Sequence, residues 1–306
     1  MIVAVFPGQG SQTPGFLSPW LELEGARERL EVFSDHAQVD LVAAGTEWDA
    51  DDIRDTSVAQ PLIVAASLLS WGALGERTSV TPSGVAGHSV GELAALAAAG
   101  VLSPDDAMRL VGIRGRAMAD AAAVEDSGMS AVVGGDQESV VARLAELGLT
   151  PANYNGGGQI VAAGGLGALA ALAEQPVAGT RVIPLQVAGA FHTSFMAPAV
   201  ETLRDAAVET DAFDPQLTLW TNSDGSIVDN GRRALDLLVG QVASPVRWDL
   251  CMEGFAQAGV SGIIEFSPAG TLVGLAKRAL RGVPSVAVKT PDDLDAAAAL
   301  LSEGNA

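Results

Sequence analysis

Short apolar runs alternate with longer helical segments along the first 123 residues, and this alternation constrains the fold more than any other feature. Residues Ile2 to Phe6 form a β-branched run closed by Pro7-Gly8, which predicts a buried strand. After it, the pattern predicts a helix over 60–74 with Pro61 in its first turn, a strand over 84–87, and helices over 91–99 and 104–123. Strands that alternate with helices indicate a parallel sheet covered by helices.

The order of elements changes in the middle of the chain. The predicted elements there are strands over 130–133, 151–154, 159–163 and 181–187, with helices over 138–147 and 166–173. This βαββαβ order is the ferredoxin-like pattern. A helix over 196–210, strands over 217–221 and 263–266, and a helix over 271–280 then resume the first pattern. We therefore predict an α/β fold in which a large α/β-hydrolase-like parallel-sheet domain (1–126 and 193–306) carries an inserted ferredoxin-like small subdomain (127–192).

Charge and cysteine content exclude several classes of function. The formal net charge of −20 argues against a nucleic-acid partner, because phosphate contacts need clustered Lys and Arg. A single cysteine, Cys251, excludes an internal disulfide and any multi-cysteine metal site, and it fits a reducing compartment. The apolar start has no basic segment, and the apolar stretch Leu93 to Val101 is too short to span a bilayer. We expect a soluble, cytoplasmic protein with no metal and no membrane contact.

The strongest local motif is Gly87-His88-Ser89-Val90-Gly91, between a predicted strand and a predicted helix. It has the G-x-S-x-G pattern of a nucleophile elbow, which exposes the serine oxygen at the start of a helix. Free amides and the helix dipole favour a developing oxyanion there. A competing interpretation remains, because Ser89 and Glu92 also form the S-x-x-E pattern of a capping box.

A serine nucleophile needs a base, and the chain has three histidines. His88 adjoins Ser89, and neighbouring side chains on a sharp turn point apart. His36 lies in a polar helical stretch and is expected to face solvent. His192 ends an apolar run, 188–192, that we interpret as a strand from which the small subdomain presents the ring over the cleft. Elimination favours His192; the alternative is a hydrogen-bonded histidine at a domain seam.

Two further features stay ambiguous from the sequence alone. The loop Pro7 to Gln12 lacks the lysine of a phosphate loop, so it is either an ordinary turn or a source of amides facing the cleft. The helix over 104–123 carries Arg109, Arg114 and Arg116. These are either solvated surface arginines or include one that is buried to bind a substrate carboxylate. Periodicity does not select among them.

Together, these segments resemble the malonyl-CoA:acyl carrier protein transacylases and the related acyltransferase domains of polyketide and fatty acid synthases. The resemblance covers nearly the whole chain. It rests, in chain order, on Pro7 to Gln12, Gln60-Pro61, Gly87 to Glu92, Arg114-Gly115, Asn155 with Gln159, Phe191-His192, Gln241 with Pro245-Val246, and Thr271-Leu272.

The resemblance implies roles for several residues. Ser89 would be the acylated nucleophile and His192 the general base, oriented by the main-chain carbonyl of Gln241. Arg114 would clamp the malonyl carboxylate. The oxyanion hole would be formed by the amides of Gln9 and Val90, and the acyl pocket would be lined by Gln60, His88, Asn155, Phe191 and Met118. Phenylalanine just before the histidine goes with malonyl preference, although Gly189-Ala190 departs from the His-Ala of many synthase domains.

The implied reaction is ping-pong transfer of malonyl from malonyl-CoA to the phosphopantetheine thiol of an acyl carrier protein, without a cofactor. We expect the carrier to dock on the basic residues Lys277, Arg278 and Arg281, with Arg116 as a further contributor. The alternative is that these charges only complement the dipole at the C-terminal end of their helix. Whether the carrier serves fatty acid or polyketide synthesis stays open. The alternatives are a serine thioesterase with Asp136 or Glu174 as the acid of a triad, and a non-catalytic carrier- or CoA-binding subunit.

Overall fold

The computed structural model describes residues 1–304 and contains two sheets. Its strands, in chain order, are β1 (Ile2–Phe6), β2 (Gly84–Gly87), β3 (Ser127–Gly134), β4 (Thr150–Gly156), β5 (Gln159–Gly165), β6 (Thr180–Pro184), β7 (Thr218–Trp220), β8 (Gly262–Glu265) and β9 (Ser285–Ala287). The main sheet has the order β7-β2-β1-β8-β9 and all of its pairs are parallel. The predicted parallel-sheet α/β fold is confirmed.

Helices fill most of the chain between these strands. The α-helices are α1 (Ala26–Ala37), α2 (Leu41–Thr46), α3 (Thr56–Arg77), α4 (Gly91–Ala98), α5 (Pro104–Ala122), α6 (Gln137–Glu146), α7 (Leu166–Glu174), α8 (Ala197–Val208), α9 (Gly231–Gln241), α10 (Trp248–Gln257), α11 (Thr271–Ala279) and α12 (Leu294–Gly304). Short 3-10 turns occupy Ser18–Glu22, Asp52–Arg54, Ser194–Met196 and Pro291–Asp293.

Both faces of the main sheet are covered, as a parallel sheet requires. Ile2, Ala4 and Phe6 of β1 belong to the larger core, which includes residues of α1, α3, α4, α5 and α12. The alternate residues Val3 and Val5 belong to a second core formed with α10 and α11. The apolar residues of β1 are therefore buried on both sides, which explains why the strand is an unbroken hydrophobic run.

The second sheet is antiparallel and has the order β4-β5-β3-β6. With α6 after β3 and α7 after β5, this is the ferredoxin-like arrangement, which confirms the predicted small subdomain. Its own core includes Val132, Leu144, Ile160 and Leu172. The elements of this sheet lie within 127–184; the exact division of the chain at 127 and 192 stays a prediction.

Two details of the predicted elements are wrong. α3 begins at Thr56, capped by Asp55, so Pro61 lies inside the helix and not in its first turn. The segment 188–192 forms no strand: β6 ends at Pro184, and the chain continues as a loop in which the Ala190 N–H donates to the Ser127 hydroxyl. The apolar character of 188–192 reflects burial between elements and not pairing in a sheet.

α3 is the one helix within residues 1–304 that is long and apolar enough to cross a membrane. In this fold 78% of its apolar window is buried inside the molecule, where it packs against α4, α5 and α12. α3 is therefore a helix of the core in this fold.

The functional loops follow three adjacent strands of the main sheet. β1, β2 and β7 are neighbours and run in the same direction, so the residues after their carboxyl ends meet at one edge. These residues are the loop from Pro7, the segment His88 to Val90, and Thr221-Asn222. The carboxyl edge of a parallel sheet is where α/β proteins place their ligand sites.

Candidate active site

Ser89 lies on a sharp turn between β2 and α4. Its φ is 53°, in the left-handed region that non-glycine residues rarely occupy. A Cβ added to Gly87 would lie 2.0 Å from the carbonyl of Gly91, and a Cβ added to Gly91 would lie 2.2 Å from the carbonyl oxygen of Phe6. Both glycines are therefore required for the turn to form. This is the strand–turn–helix setting that a nucleophile elbow needs.

The Ser89 hydroxyl is hydrogen-bonded to the His192 ring. The distance from Ser89 Oγ to His192 Nε2 is 2.7 Å, and His192 Nδ1 lies 2.8 Å from the backbone oxygen of Gln241. A carbonyl oxygen only accepts, so Nδ1 carries the proton and Nε2 presents a lone pair to the hydroxyl. The structure thus brings together all three residues predicted for proton transfer, in the tautomer that a base requires.

His192 enters the site on the loop after the small subdomain, immediately before the 3-10 turn Ser194–Met196. Like Ser89 it has a left-handed backbone, with φ at 61°, and only 3% of its surface is exposed. Burial lowers the pKa of His192 to about 3, and the positive charge of Arg114 contributes to the same shift. The ring is therefore neutral at physiological pH.

Arg114 is fully buried on α5 and points towards the same centre. Its Nη1 donates to Gln60 Oε1 at 2.6 Å, and its Nη2 donates to Gln241 Oε1 at 2.9 Å. Gly115, the next residue, lets α5 pack closely on α3, because a Cβ there would lie 3.0 Å from the Thr56 carbonyl oxygen. Burial lowers the pKa of Arg114 to about 10, which leaves it charged at neutral pH.

The partners of Arg114 are neutral, which is unusual for a buried cation. No carboxylate of the described chain forms a salt bridge with it, and its Nε–H has no hydrogen-bond partner among residues 1–304. Buried charges are ordinarily paired. The guanidinium can therefore bind an anionic group of a ligand through a planar fork of donors.

The other predicted pocket residues surround this centre. Gln60 Nε2 lies 3.4 Å from Met118 Sδ. His88 Nε2 lies 2.9 Å from Asn155 Oδ1, and the Asn155 amide donates to Gln159 Oε1 at 2.9 Å. These bonds connect the elbow to the β4–β5 hairpin of the small subdomain. Burial lowers the pKa of His88, so this ring is neutral as well. Phe191, next to His192, is 5% exposed.

Two backbone amides, of Gln9 and Val90, are the predicted oxyanion donors. Neither N–H has an acceptor within the described part of the chain. The loop that carries Gln9 lies against the elbow, because a Cβ added to Gly8 would be 2.9 Å from the His88 carbonyl oxygen. Val90 precedes the first residue of α4, where free N–H groups and the helix dipole stabilise negative charge.

The sequence did not reveal the roles of Glu92 and Asn222. The capping-box interpretation is wrong: the Ser89 hydroxyl is bound to His192, and the Glu92 carboxylate turns inwards to the backbone of Asn222 and the side chain of Gln241. The available signal for Glu92 was its place as an isolated carboxylate directly before the apolar run that begins at Leu93. A charged residue at such a position is buried only when polar partners surround it, so the pattern could have indicated such partners. Asn222 had no sequence signal.

Several candidates considered for the site lie elsewhere. His36 is half-exposed on α1 and faces Asp105 at 3.5 Å. Asp136 caps α6 by accepting from the Ser139 N–H, and Glu174 is exposed at the end of α7. Arg109 donates to the hydroxyl of Thr210.

The remaining arginines and the basic helix lie outside the cluster around Ser89. Arg116 donates to the carbonyl of Ala37, at the end of α1, which makes it a poor contributor to a docking surface. Lys277, Arg278 and Arg281 are exposed, on α11 and just after it.

The chain is similar to known proteins over nearly all of its length. Residues 3–294 match a family model described as an acyl transferase domain. The malonyl CoA-acyl carrier protein transacylase of Mycobacterium tuberculosis is 54% identical over 297 residues, which cover 96% of this chain and 98% of that protein. The Bacillus subtilis protein of the same name is 34% identical over 313 residues, with coverages of 99% and 98%.

Solved structures give the same result. The crystal structure of MCAT from Mycobacterium tuberculosis has a TM-score of 0.95 at 53% identity, covering 97% of this chain and 99% of that one. A type II PKS acyl-carrier protein in complex with its malonyl-transacylase, PlMCAT:AntF, contains a chain with a TM-score of 0.93 at 31% identity, with coverages of 98% and 99%.

Proposed function

The chain belongs to the acyl transferase domain family, as a malonyl-CoA:acyl carrier protein transacylase, and we propose that Ser89 is the residue on which it carries the malonyl group. The enzyme moves malonyl from malonyl-CoA to the phosphopantetheine thiol of an acyl carrier protein. The observation that supports our assignment best is the hydrogen bond of 2.7 Å between Ser89 Oγ and His192 Nε2.

The first half-reaction follows from this contact. Ser89 Oγ attacks the thioester carbonyl carbon while its proton passes to His192 Nε2. The C–S bond then breaks, and the CoA sulfur takes the proton back from His192. Gln241 holds the ring through its carbonyl oxygen and so stabilises the imidazolium that forms in between. The amides of Gln9 and Val90 donate to the oxyanion.

The second half-reaction repeats these steps in reverse. The carrier's thiol gives its proton to His192 Nε2, and its sulfur attacks the carbonyl carbon of the malonyl ester on Ser89. The C–O bond to Ser89 then breaks, and His192 returns the proton to Ser89 Oγ, which regenerates the hydroxyl. We infer that no cofactor is needed, because the thioester is already activated and the named residues supply the base and the oxyanion donors. We also infer a cytoplasmic location, which the single buried and reduced cysteine supports.

Arg114 is the proposed clamp for the malonyl carboxylate. Its charge disfavours an imidazolium at His192 and lowers that ring's pKa. A bound malonyl carboxylate would neutralise this charge and make His192 a better proton acceptor. Malonyl would therefore be favoured over an uncharged acyl group in two ways, through binding and through the strength of the base.

The test of Ser89 is intact-mass spectrometry after mixing the protein with malonyl-CoA. The parent protein should gain one malonyl group and lose it when the holo carrier protein is added, with the group reappearing on the carrier. Ser89→Ala should show no adduct. Cys251→Ala is the matched control, because it removes the other nucleophile of the region and should still be labelled. An adduct that persists in Ser89→Ala refutes the assignment.

The same mixture separates a transferase from a thioesterase. A hydrolase with this elbow releases free malonate at the rate at which CoA appears, whereas a transferase releases little malonate and acylates the carrier. Quantifying malonate and malonyl-carrier together decides between them.

The test of Arg114 is selectivity. Arg114→Ala should lower kcat/KM for malonyl-CoA by about 10- to 100-fold, since a charge-assisted pair contributes about 1.5–3 kcal/mol. Transfer from acetyl-CoA, which has no carboxylate, should be retained or improved. An equal loss for both donors would remove Arg114 from the clamp role.

A further inference from the structure

A buried carboxylate, Glu92, lies directly behind the nucleophile in the first turn of α4. Only 4% of its surface is exposed. Its Oε1 accepts a hydrogen bond from the backbone N–H of Asn222 at 2.9 Å, and its Oε2 accepts one from the side-chain amide of Gln241. Burying a carboxylate is costly unless its oxygens are hydrogen-bonded, and both oxygens have a donor here.

These two partners hold both sides of Ser89. Asn222 Oδ1 accepts from the Ser89 N–H at 2.8 Å, and Asn222 Nδ2 donates to the Gly87 carbonyl at 2.5 Å. Gln241 Nε2 donates to the Ser89 carbonyl at 3.1 Å. The backbone N–H and C=O of Ser89 are thus fixed by two side chains that are themselves held by Glu92.

Ser89 needs this restraint because its left-handed backbone, with φ at 53°, persists only where the surroundings enforce it. We propose that Glu92 is a positioning residue of the acyl-transfer site, which holds the backbone of Ser89 in place through Asn222 and Gln241. The proposal rests on the proposed function of Ser89 as the nucleophile. It assigns Glu92 no contact with the acyl group.

A carboxylate suits this position because both of its partners are donors. In Glu92→Gln, one acceptor oxygen becomes an NH₂ group that faces a donor. Gln241 cannot turn its amide over to compensate, because its Oε1 accepts from Arg114 Nη2 at 2.9 Å. One support of Ser89 is therefore lost while the volume of the side chain stays the same.

The test is the first-order rate constant for malonylation of the full-length protein by malonyl-CoA, measured in a single turnover by rapid quench and intact mass. Glu92→Gln should lower this rate constant about 10- to 100-fold, because small misplacements of a reacting group have effects of this size. The final extent should stay at one malonyl group per folded chain. Misfolded molecules lower the final extent of malonylation and do not change its rate constant. If Glu92 only stabilised the fold, Glu92→Gln would therefore show a reduced extent and a rate constant equal to that of the parent.

Glu265 provides a matched control. It is also a fully buried carboxylate, and its oxygens accept from the N–H groups of Gly270, Leu272 and Val273 at the start of α11. Glu265→Gln creates the same conflict between donors away from Ser89. We expect it to lower Tm as Glu92→Gln does, while its malonylation rate constant stays at the parent value.

A malonylation rate constant for Glu92→Gln that equals the parent's overturns the proposal, and so does equal slowing in Glu265→Gln. If Glu92→Gln does not fold, Asn222→Ala carries the same test, since it removes one of the two supports; a parent-like rate constant would again overturn the proposal. In each of these cases Ser89→Ala still lacks the adduct, so the proposed function stands or falls independently.

Discussion

A single residue, Gln241, connects the proposed nucleophile, base and carboxylate clamp. Its backbone oxygen accepts from His192 Nδ1, its side-chain oxygen accepts from Arg114 Nη2, and its amide donates to the Ser89 carbonyl. Its side-chain oxygen faces a donor and its amide NH₂ faces acceptors, Glu92 among them, so the orientation of the amide is fixed by the network. The arrangement replaces the carboxylate that orients histidine in other serine enzymes.

Glu92 is the residue whose ionisation should control the acylation rate near neutral pH. Burial raises the pKa of Glu92 to about 7, although hydrogen bonds and the charge of Arg114 oppose the shift. The ionisable groups that influence it or respond to it are Arg114 on α5, with a pKa of about 10, and Cys251 on α10, whose thiol pKa burial raises. His192, with a pKa of about 3, does not titrate in this range.

We therefore predict that the malonylation rate constant of the parent rises as the pH increases through about 7. Protonation turns one acceptor oxygen of Glu92 into a donor and removes one of the supports of Ser89. Glu92→Gln should show no such step. A step of the same size and midpoint in the variant would assign the ionisation to another group.

The stability contributed by Glu92 should change in the opposite direction. Its pKa in the folded state lies above the unfolded value of 4.5, so its contribution is fully present below pH 4.5 and is lost as the pH rises through about 7. Comparing the Tm of the parent with that of Glu92→Gln at each pH cancels the contributions of the other ionisable groups, which are the same in both proteins. Across this window the Tm of the parent should fall relative to that of the variant while the parent's malonylation rate constant rises.

At the level of elements, the elbow joins β2 to α4 so tightly that only glycine fits at positions 87 and 91. A Cβ on Gly87 would lie 2.0 Å from the Gly91 carbonyl, against backbone that has no room to move. Gly72 of α3 offers a contrast, because a Cβ there would meet nothing within 4 Å. The two positions separate a steric requirement from the general entropic cost of glycine.

Gly87→Ala should lower the free energy of unfolding by about 3 kcal/mol or more, since it overpacks a rigid backbone contact. Gly72→Ala should raise it by about 0.5–1 kcal/mol and leave malonylation unchanged. Urea unfolding followed by tryptophan fluorescence measures both. A loss below about 1 kcal/mol for Gly87→Ala would show that the elbow can relax without its glycine.

Elements with a strict local signature could be predicted from the sequence. β1 is an unbroken apolar run because it is buried on both faces, and the helix after Ser89 follows from the spacing of Gly87 and Gly91. The three glycines 156–158 form a tight hairpin between β4 and β5. Positive φ values of 58° and 76° at its two central residues are those of a type I′ turn.

The features that escaped prediction depend on contacts distant in sequence. α9 and α10 mix apolar and polar residues and were not predicted. The run 188–192 resembles a strand because Ala190 and Phe191 are buried, yet they are buried between elements and not in a sheet. Likewise, nothing near Asn222 in the sequence indicates that its amide spans from β7 to Ser89, 133 residues earlier in the chain.

At the scale of the whole molecule, the small subdomain contacts the main domain at Val246 and at the basic helix α11. β4 is joined to the main domain through backbone bonds of Ala152 and Tyr154 with Val246. The turn after it packs on α11, where a Cβ on Gly157 would lie 3.2 Å from the Cβ of Arg278. Arg278 is thus connected through this hairpin to Asn155 and then to His88, beside Ser89.

This placement supports α11 as the docking surface for the carrier. Lys277, Arg278 and Arg281 are exposed, and no carboxylate within residues 1–304 forms a salt bridge with them. Against a net charge of −20, such a local positive patch is what an acidic partner can recognise. It also lies beside the hairpin that borders the site, where a carrier must deliver its thiol.

Charge reversal at Lys277→Glu and Arg278→Glu should raise the KM for the carrier about 10-fold, because each reversed rim charge changes association by about 1 kcal/mol or less. Arg27→Glu with Arg29→Glu is the matched control, since it makes the same charge change at exposed positions of α1, which packs on the other face of the main sheet from α11. Malonylation by malonyl-CoA should be unchanged in both.

The effect of the α11 pair on the KM for the carrier should shrink at high salt, where the field of the patch is screened. An equal rise in KM for both pairs would assign the effect to net charge, and no rise for either would place the carrier on another surface.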